Sequence, residues 1–380
     1  MKVVIAIDSF KGSISSNDAA KAISSGIQDV YSEAEIISIP LADGGEGTVE
    51  ALVEAANGKF ITKEITGPLH EKVNAVYGLL GDNETAVIEV AAACGLPLIA
   101  SDKRNPLLTT TFGVGELIKD AVNKGCRKFV IGLGGSSTND AGVGMLQALG
   151  FRFLDQHGEE VGTGGQALNK VISIDLKSIL PQLKDCTFRV ACDVNNLLHG
   201  TNGAAYIFGP QKGATIDIVE ELDNGLKHFA DVVYQELGKD IHNISGAGAA
   251  GGLGAAFTGF LNASLQSGIE LILDIVEMEK KMENADFVIT GEGKLDGQTS
   301  MGKAPLGVSQ LAAKQEIPVI ALAGAVTKET EQLNEQGITS YFSIMNEPMS
   351  LEEAMNSETA FHNLRVTAKQ LFQLINAVQK

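Results

Sequence analysis

The segment KVVIAIDSFKGS, residues 2–13, indicates the class of fold. Its apolar half predicts a strand over Lys2–Ile7, and the polar loop after it leads into a helix with Ser15 and Asp18 in a capping box. A second strand is predicted at Ile36–Ile39, followed by a glycine-rich loop and another helix. Strands that alternate with helices are typical of a parallel sheet covered by helices.

The two ends of the chain share this pattern, whereas the middle does not. Alternation returns near the carboxyl end, beginning with a strand at Phe287–Thr290. In between, Lys59–Ile65, Val73–Leu80 and Thr85–Ala91 predict consecutive strands without intervening helices, which favours a mixed or antiparallel sheet. We therefore expect an α/β protein with a Rossmann-like doubly wound parallel sheet, built from both chain ends, and an inserted second α/β domain that contains a mixed sheet. The expected limits are residues 1–60 with 285–380 for the first domain and 61–284 for the inserted domain, with the site in the cleft between them.

Composition and charge exclude several classes of protein. The 380-residue chain has 29 basic and 47 acidic residues and a net charge of −18 at pH 7, and such a surface repels nucleic acid and anionic membranes. Four cysteines without a CxxC pair and six scattered histidines predict neither a disulfide framework nor a structural zinc site. The apolar N-terminus is too short for a signal peptide, and the charge-free stretch 241–269 is too polar for a membrane span. We expect a cytoplasmic protein without nucleic-acid or membrane partners, with a homodimer as one option.

Four carboxylates follow the carboxyl ends of predicted strands: Asp8, Asp43, Asp193 and Glu292. Because ligands of open α/β sheets bind outside those ends, these groups are suited to coordinating Mg²⁺, recognising a hydroxyl or accepting a proton. Each one could instead cap the helix or turn that follows it, and that alternative stays open for any single carboxylate.

The first two loops combine charge with glycine. The motif DSFKGS, residues 8–13, places a carboxylate, Ser9 and Lys11 in one strand-to-helix loop. A lysine close to a helix N-terminus needs a compensating anion, unless it is simply solvated. The motif ADGGEGT, residues 42–48, interleaves three glycines with two carboxylates, of which the second is Glu46. This composition suits the hydroxyl groups of a sugar acid or a metal ion.

A third loop, GLGGSSTNDAGVG at residues 132–144, follows a predicted buried strand and leads into a helix predicted over Ala141–Leu149. Its many donors predict a cradle for a phosphate or a carboxylate at the start of that helix. The residues that we expect to bind substrate are Asp8, Ser9, Glu46, Gly134, Gly135, Ser136, Ser137 and Thr138. Asp140 then either holds Mg²⁺ or caps the helix.

The richest segment is TGEGKLDGQTSMGKAP, residues 290–305. It contains a P-loop-like spacing that ends at Lys303, but Ala304 stands where a P-loop needs Ser or Thr, so a Walker site is not expected. The residues that we expect to bind the nucleotide are Gly291, Glu292, Lys294 and Asp296, and Glu292 is also a candidate metal ligand. A separate GxGxxG at residues 246–251 lacks a preceding strand, so a close-packed glycine-rich helix or an anion-binding turn is as consistent with it as a dinucleotide site.

These loops, in this order, resemble the bacterial type I glycerate kinase family. The motifs that carry the resemblance are DSFKGS, LADGGEGT, GLGGSSTNDAG, ACDVNN, GAGAAGGLG and TGEGKLDGQTSMGKAP, and they extend over essentially the whole chain. The resemblance implies ATP-dependent phosphorylation of D-glycerate with Mg²⁺, usually to 2-phosphoglycerate. It also implies a Rossmann-like domain with an inserted α/β domain.

The individual roles follow from the chemistry of phosphoryl transfer, which needs positioning and charge neutralisation. Asp193 or Asp43 is the expected base, and Lys11 and Lys303 are expected to neutralise the charges of phosphate and glycerate. Two other functions stay open. One is an NAD-dependent hydroxyacid oxidoreductase that uses the GxGxxG motif, and the other is a sugar-acid binding protein without catalytic activity.

Overall fold

A computed structural model describes residues 1–42, 45, 47–297, 299 and 303–379. The chain packs as two compact units, of which the first comprises residues 1–43, 50–56 and 269–380 and the second comprises residues 44–49 and 57–268. Residues 269–284 therefore pack with the first unit, whereas the predicted limit of this part of the first domain is residue 285. Compactness alone does not define a domain that folds by itself, so the predicted domain limits stay a prediction.

The described chain forms strands and helices in the following order. The strands are β1 (Lys2–Ile7), β2 (Glu35–Pro40), β3 (Lys59–Thr66), β4 (Lys72–Leu79), β5 (Thr85–Glu89), β6 (Lys128–Gly132), β7 (Arg152–Leu154), β8 (Ser173–Asp175), β9 (Thr187–Ala191), β10 (Ser264–Gln266), β11 (Phe287–Leu295), β12 (Val319–Val326) and β13 (Ser340–Ser343). The helices are α1 (Ser16–Gln28), α2 (Thr48–Ala55), α3 (Ala91–Cys94), α4 (Phe112–Asn123), α5 (Val143–Ala148), α6 (Ala204–Phe208), α7 (Ile216–Leu237), α8 (Ala249–Leu261), α9 (Gly268–Ile275), α10 (Met278–Met282), α11 (Ala304–Ala313), α12 (Leu351–Met355) and α13 (Ser357–Val378).

The sheet of the first unit is parallel throughout, in the order β13-β12-β11-β1-β2. The chain steps to one side from β1 to β2 and to the other side from β11 to β12 and β13. Because crossover connections between parallel strands are right-handed, α1 and α11 lie on opposite faces of the sheet. This confirms the predicted doubly wound parallel sheet built from both chain ends.

The core of the first unit forms on both faces of β1. Val3, Ile5 and Ile7 are buried in one cluster with residues of α1 and α13, and the alternate residues Val4 and Ala6 are also fully buried. A strand that is buried on both faces has the continuous apolar sequence seen here. Burial of β1 therefore fixes the position of the polar loop that follows it.

The second unit contains a six-stranded mixed sheet in the order β10-β9-β6-β5-β4-β3. Strands β3, β4 and β5 pair antiparallel, whereas β5, β6, β9 and β10 run parallel. The antiparallel part is the region in which the sequence shows strands without helices between them. The predicted inserted α/β domain with a mixed sheet is thus confirmed.

Several elements differ from their predicted bounds by a few residues, such as β5, which ends at Glu89 rather than Ala91, and two of the differences concern the predicted site loops. Strand β11 continues beyond Thr290 to Leu295, because it pairs with β12 as far as Leu295↔Val326. The helix predicted from Ala141 begins at Val143, because Ala141 and Gly142 have left-handed backbones with φ of 51° and 72°. Within the described residues, no helix combines the length and the apolar character that a membrane crossing requires.

Close packing of α1 against α13 predicts the effect of Gly26→Ala. A Cβ atom at Gly26 would overlap the backbone carbonyl oxygen of Arg365, so the two helices must move apart. Alanine favours helix by about 1 kcal/mol over glycine, and overpacking costs about 1–3 kcal/mol. We expect Gly26→Ala to lower the melting temperature by about 2–4 °C for each kcal/mol lost. Gln28→Ala, on the exposed side of the same helix, is the control, and a stabilised Gly26→Ala protein would contradict the packing argument.

Candidate active site

A cavity of about 650 Å³ opens beside the carboxyl ends of the strands in the first unit. Its position is the switch point of the sheet, because β1 and β11 are neighbours whose connections leave in opposite directions, and ligands of doubly wound sheets bind at such a point. The predicted site residues that line it are Asp8, Ser9, Lys11, Glu292, Lys294, Asp296 and Lys303. Two segments far apart in the sequence, residues 8–11 and 292–303, are thus brought together.

The loop after β1 is anchored to the core of the first unit. Phe10 is buried in the core with an exposed fraction of 4%, and its backbone N–H donates to the carbonyl oxygen of Ile14 at 3.0 Å. Asp8 is 6% exposed, and its carboxylate accepts the N–H of Ser9 at 2.6 Å. Lys11 lies exposed on the turn between these fixed points. The fold therefore presents Lys11 at the cavity while Asp8 stays close to the strand end.

Glu292 forms the polar floor of the cavity together with a hydroxyl and an ammonium group. The Oγ1 of Thr299 donates to Glu292 Oε1 at 2.6 Å, and the Nζ of Lys303 lies 3.5 Å from Glu292 Oε2. Burial raises the pKa of Glu292, and the Thr299 hydrogen bond and the charge of Lys303 partly offset this effect. Lys303 is also the residue that precedes α11, and its side chain does not cap that helix. The floor thus combines a cation with the N-terminus of a helix, both of which attract anions.

The opposite wall of the cavity is apolar. The residues that form it are Ile344, Met345, Met349, Leu351, Ala354 and Met355, from the segment after β13 and from α12. Lys294 and Asp296, which also line the cavity, form an ion pair at 3.2 Å. A molecule with an anionic end and a flat apolar end suits a cavity of this kind.

The carboxylates of the cavity fit Mg²⁺ chemistry. Among the described residues no group of three or more His, Cys, Asp or Glu side chains has the arrangement of a metal site. Mg²⁺ needs no such cage, because it is commonly bound by one or two carboxylates together with substrate phosphates and water. Glu292 and Asp296, which line the same cavity, offer these hard oxygen donors.

The surroundings of Asp140 differ from those expected of a metal ligand. It is fully buried, and its carboxylate accepts the N–H and the Oγ1 of Thr111, each at 2.9 Å, together with the N–H groups of Gly142 and Gly144 at 3.1 and 3.3 Å. Burial raises the pKa of Asp140, and the hydrogen bonds from Thr111 oppose that rise. Both carboxylate oxygens are therefore used to join the start of α4 to the start of α5, which favours the capping alternative over metal binding.

The Gly134–Thr138 loop follows β6 in the second unit, and its hydroxyl groups point inward. Ser137 Oγ donates to the carbonyl oxygen of Cys94 at 2.9 Å, and Ser136 and Thr138 are also buried. Only Gly134 and Gly135 are exposed. The part of this loop that remains accessible to a ligand is therefore the glycine backbone rather than the predicted row of side chains.

Asp193 lies exposed after β9 in the second unit. Its Oδ1 accepts the N–H of Gly268, the first residue of α9, at 2.9 Å. Asp193 thus has the capping role that sequence analysis left open, and its role as base stays a prediction. Asp43 and Glu46 lie outside the described residues, but Gly45 between them does not. A Cβ atom on Gly134 would lie 3.3 Å from the Cα of Gly45, so these two predicted loops meet.

Comparison with known proteins agrees with the motifs. The sequence model described as the glycerate kinase family matches residues 3–376. The chain belongs to this family. A glycerate 2-kinase of Escherichia coli (strain K12) is 48% identical over 364 residues, which are 96% of this chain and 95% of that protein. A glycerate kinase of Bacillus subtilis (strain 168) is 47% identical over 371 residues, 98% of this chain and 97% of the other.

Solved structures agree as well. The crystal structure of a Salmonella typhimurium LT2 protein assigned as glycerate kinase 2 superposes with a TM-score of 0.92 at 44% identity, and the match covers 100% of this chain and 99% of that one. The family resemblance and the fold class that the sequence predicted are both confirmed.

The GxGxxG motif of this family member is a packing element. Ala250, Gly251 and Gly252 have left-handed backbones, and the carbonyl oxygen of Gly251 accepts the N–H of Ala141 at 3.0 Å. A Cβ atom on Gly251 would overlap the carbonyl oxygen of Thr138. The glycines thus allow α8 to lie directly on the Gly134–Thr138 loop, as in the close-packed alternative.

Lys212 is a buried residue of this region that sequence analysis missed. Its exposed fraction is 3%, and its Nζ donates to Ser136 Oγ at 3.0 Å and to the carbonyl oxygen of Thr138 at 2.7 Å. Desolvation lowers the pKa of Lys212 to about 8. No local pattern marks it, because a lysine in the turn GPQKG looks like an ordinary solvated residue.

The contacts of Asp140 predict that Asp140→Asn unfolds more easily. The new amide N–H₂ would face backbone N–H donors, so buried donors lose their acceptor at a cost on the order of 3 kcal/mol. We expect a lower urea midpoint with or without Mg²⁺. Asp155→Asn, at an exposed turn where the carboxylate also accepts backbone N–H groups, is the matched control and should change little. A stable Asp140→Asn protein whose only defect is a raised Mg²⁺ requirement would favour metal binding instead.

Proposed function

We propose that this kinase of the glycerate kinase family transfers the γ-phosphoryl group of ATP to D-glycerate, with Mg²⁺, and forms 2-phosphoglycerate. The observation that carries the proposal is the cavity at the switch point, where carboxylates and lysines from two distant segments of the chain line one space. The full-length family match supports glycerate kinase activity, and the name of the Escherichia coli relative supports transfer to the 2-hydroxyl. A cytoplasmic location and the option of a homodimer stay predictions.

The nucleotide would occupy the cavity of the first unit. Lys11 and Lys303 would offset the charge of the triphosphate, and the N–H groups at the start of α11 would add to this attraction. Gly291, Glu292, Lys294 and Asp296 are the other residues proposed on the nucleotide side. The apolar wall formed by Met345 and its neighbours would cover the base, since purine rings bind well against apolar side chains.

Glu292 and Asp296 are the residues that would hold Mg²⁺. Bound there with phosphate oxygens, the ion would supply charge neutralisation for the transferred group. The Thr299 hydroxyl group holds Glu292 Oε1 in place, and Oε2, which lies 3.5 Å from Lys303 Nζ, would be the oxygen offered to the ion. Asp140 is not included in this set, because its oxygens are already used inside the second unit.

Glycerate would be bound by the Gly134–Thr138 loop and activated by a carboxylate. The exposed backbone at Gly134 and Gly135 would receive the substrate carboxylate, with Ser136, Ser137 and Thr138 holding the loop. Asp193 or Asp43 would take the proton of the attacking hydroxyl as its oxygen bonds to the γ-phosphorus. The bond between that phosphorus and the bridging oxygen then breaks, and ADP leaves.

The direct test is turnover of the purified full-length chain with D-glycerate, ATP and Mg²⁺. ADP release should require all three, and phosphorus NMR should show the 2-phosphate rather than the 3-phosphate ester. Formation of the 3-phosphate would overturn the assigned position. Thermal stabilisation by NAD(H) without any by Mg-ATP would favour an oxidoreductase, and glycerate binding without ADP release would favour a binding protein.

The variant Asp193→Asn distinguishes the proposed role of Asp193 as a base from its role as the acceptor at the start of α9. Asparagine keeps an Oδ1 that accepts the Gly268 N–H but cannot take a proton, so we expect turnover to fall by at least about 10²-fold while stability is kept. Asp82→Asn is the control, because Asp82 also accepts backbone N–H groups in the same unit. Near-normal turnover of Asp193→Asn would leave Asp43 as the base.

Lys303→Met tests the cation on the cavity floor. Methionine keeps the length of the side chain and removes the charge, so the transferred group loses stabilisation and kcat should fall by about 10²-fold or more. The KM for ATP should rise, and that for glycerate should stay nearly unchanged. The control is Lys314→Met at the other end of α11. A variant with native kcat and a native KM for ATP would remove Lys303 from the proposed machinery.

A further inference from the structure

The second unit holds a positive charge beneath an exposed loop. Lys212 lies in the turn after α6, and its buried ammonium group donates to Ser136 Oγ and to the Thr138 carbonyl oxygen. The two residues before Ser136, Gly134 and Gly135, form the exposed surface of that loop. The Lys212 ammonium group is therefore hydrogen-bonded to the residue that directly follows the exposed glycines.

Within the described residues, Lys212 forms no ion pair. Its two hydrogen-bond partners are neutral oxygens. The charged and titratable groups around it are Cys94 of α3, whose pKa burial raises to about 12, Asp140, and Arg104, whose backbone lies against Gly213. Asp140 is engaged by Thr111 and by glycine N–H groups instead. Buried charges are normally paired, because an unpaired one is expensive.

We propose that Lys212 is a positioning residue for the anionic substrate, in that it fixes the Gly134–Thr138 loop and supplies the charge that holds a small carboxylate on the Gly134–Gly135 backbone. The inference rests on the proposed function, because that carboxylate is the acid group of glycerate. Lys212 is too buried to touch the substrate and acts through the loop. A phosphate group has the same anionic chemistry, and the experiment distinguishes the two.

The cost of burying Lys212 is offset when an anion binds above it. In a medium of low dielectric constant a charge several ångströms away still contributes strongly to binding. The surface of the protein as a whole has the opposite sign, with a net charge of −18. A local cation is therefore needed where an anion is to be bound, and the Lys212 ammonium provides it without exposing a flexible side chain.

The variant Lys212→Met tests this inference by direct binding. Calorimetric titration of the full-length chain with D-glycerate, without ATP, should show affinity weakened by about ten- to a hundredfold. In turnover, the KM for glycerate should rise by a similar factor, whereas the KM for ATP should stay within about threefold. Lys177→Met, at an exposed position of the same unit, is the matched control. Native glycerate affinity, or an equal rise of both KM values, would overturn the proposal.

The pH dependence of the native protein gives a second test that needs no variant. The pKa of Lys212 is lowered to about 8 by burial, so the ammonium is present below that pH and is lost above it. Glycerate affinity should therefore fall as pH rises from about 7 to about 9.5, by at most about tenfold per pH unit. Affinity that stays constant over this range would contradict the inference even if Lys212→Met does not fold.

A titration with inorganic phosphate identifies the preferred anion. Glycerate binding that depends on Lys212, with much weaker phosphate binding, supports the carboxylate assignment. Phosphate bound in preference to glycerate would overturn it. These measurements need no phosphoryl transfer, so a chain that binds glycerate through Lys212 but releases no ADP would contradict the proposed function and still support this inference.

Discussion

The pairing of β1 with β11 is the interaction on which the candidate active site depends. The two strands run parallel from Val3↔Phe287 to Ile7↔Gly291, and the N–H of Asp8 then donates to the carbonyl oxygen of Gly291 at 3.0 Å. This register places the loop after Ile7 beside Glu292. Because the chain leaves the two strands in opposite directions, the described parts of the crossovers leave the space above their ends open. The position of the cavity is therefore set by the order of the strands and the directions of their connections.

Sequence patterns predicted the elements whose signals are local. Strand β1 has the predicted limits, because it is a continuous apolar run. The end of β11 was missed because GEGKL is polar and glycine-rich, and its extended form depends on pairing with β12, which is distant in sequence. The start of α5 was missed because left-handed backbone at Ala141 is set by tertiary contacts.

The same distinction explains the candidate site. Carboxylates that follow predicted strands were found from the sequence, and Asp8 and Glu292 do line one cavity, although Glu292 lies within β11. The inward direction of Ser137 and Thr138 could not be predicted, since it depends on contacts with Cys94. Lys212 could not be found either, because its burial depends on elements that join only in the folded chain. The positions of the site loops can be predicted from the sequence, but the directions of their side chains cannot.

The first unit draws on both ends of the chain, and this has a consequence for biosynthesis. Strand β1 leaves the ribosome early, but its partner β11 is not made until the whole second unit has been translated. During that interval the apolar residues of β1 have only β2 as a neighbour in their sheet, and unpaired strand edges promote aggregation. The second unit can form its own core in the meantime, whereas helix α13, which covers one face of the first sheet, emerges only after β11. We therefore expect β1 to be accessible to chaperones until β11 has been made.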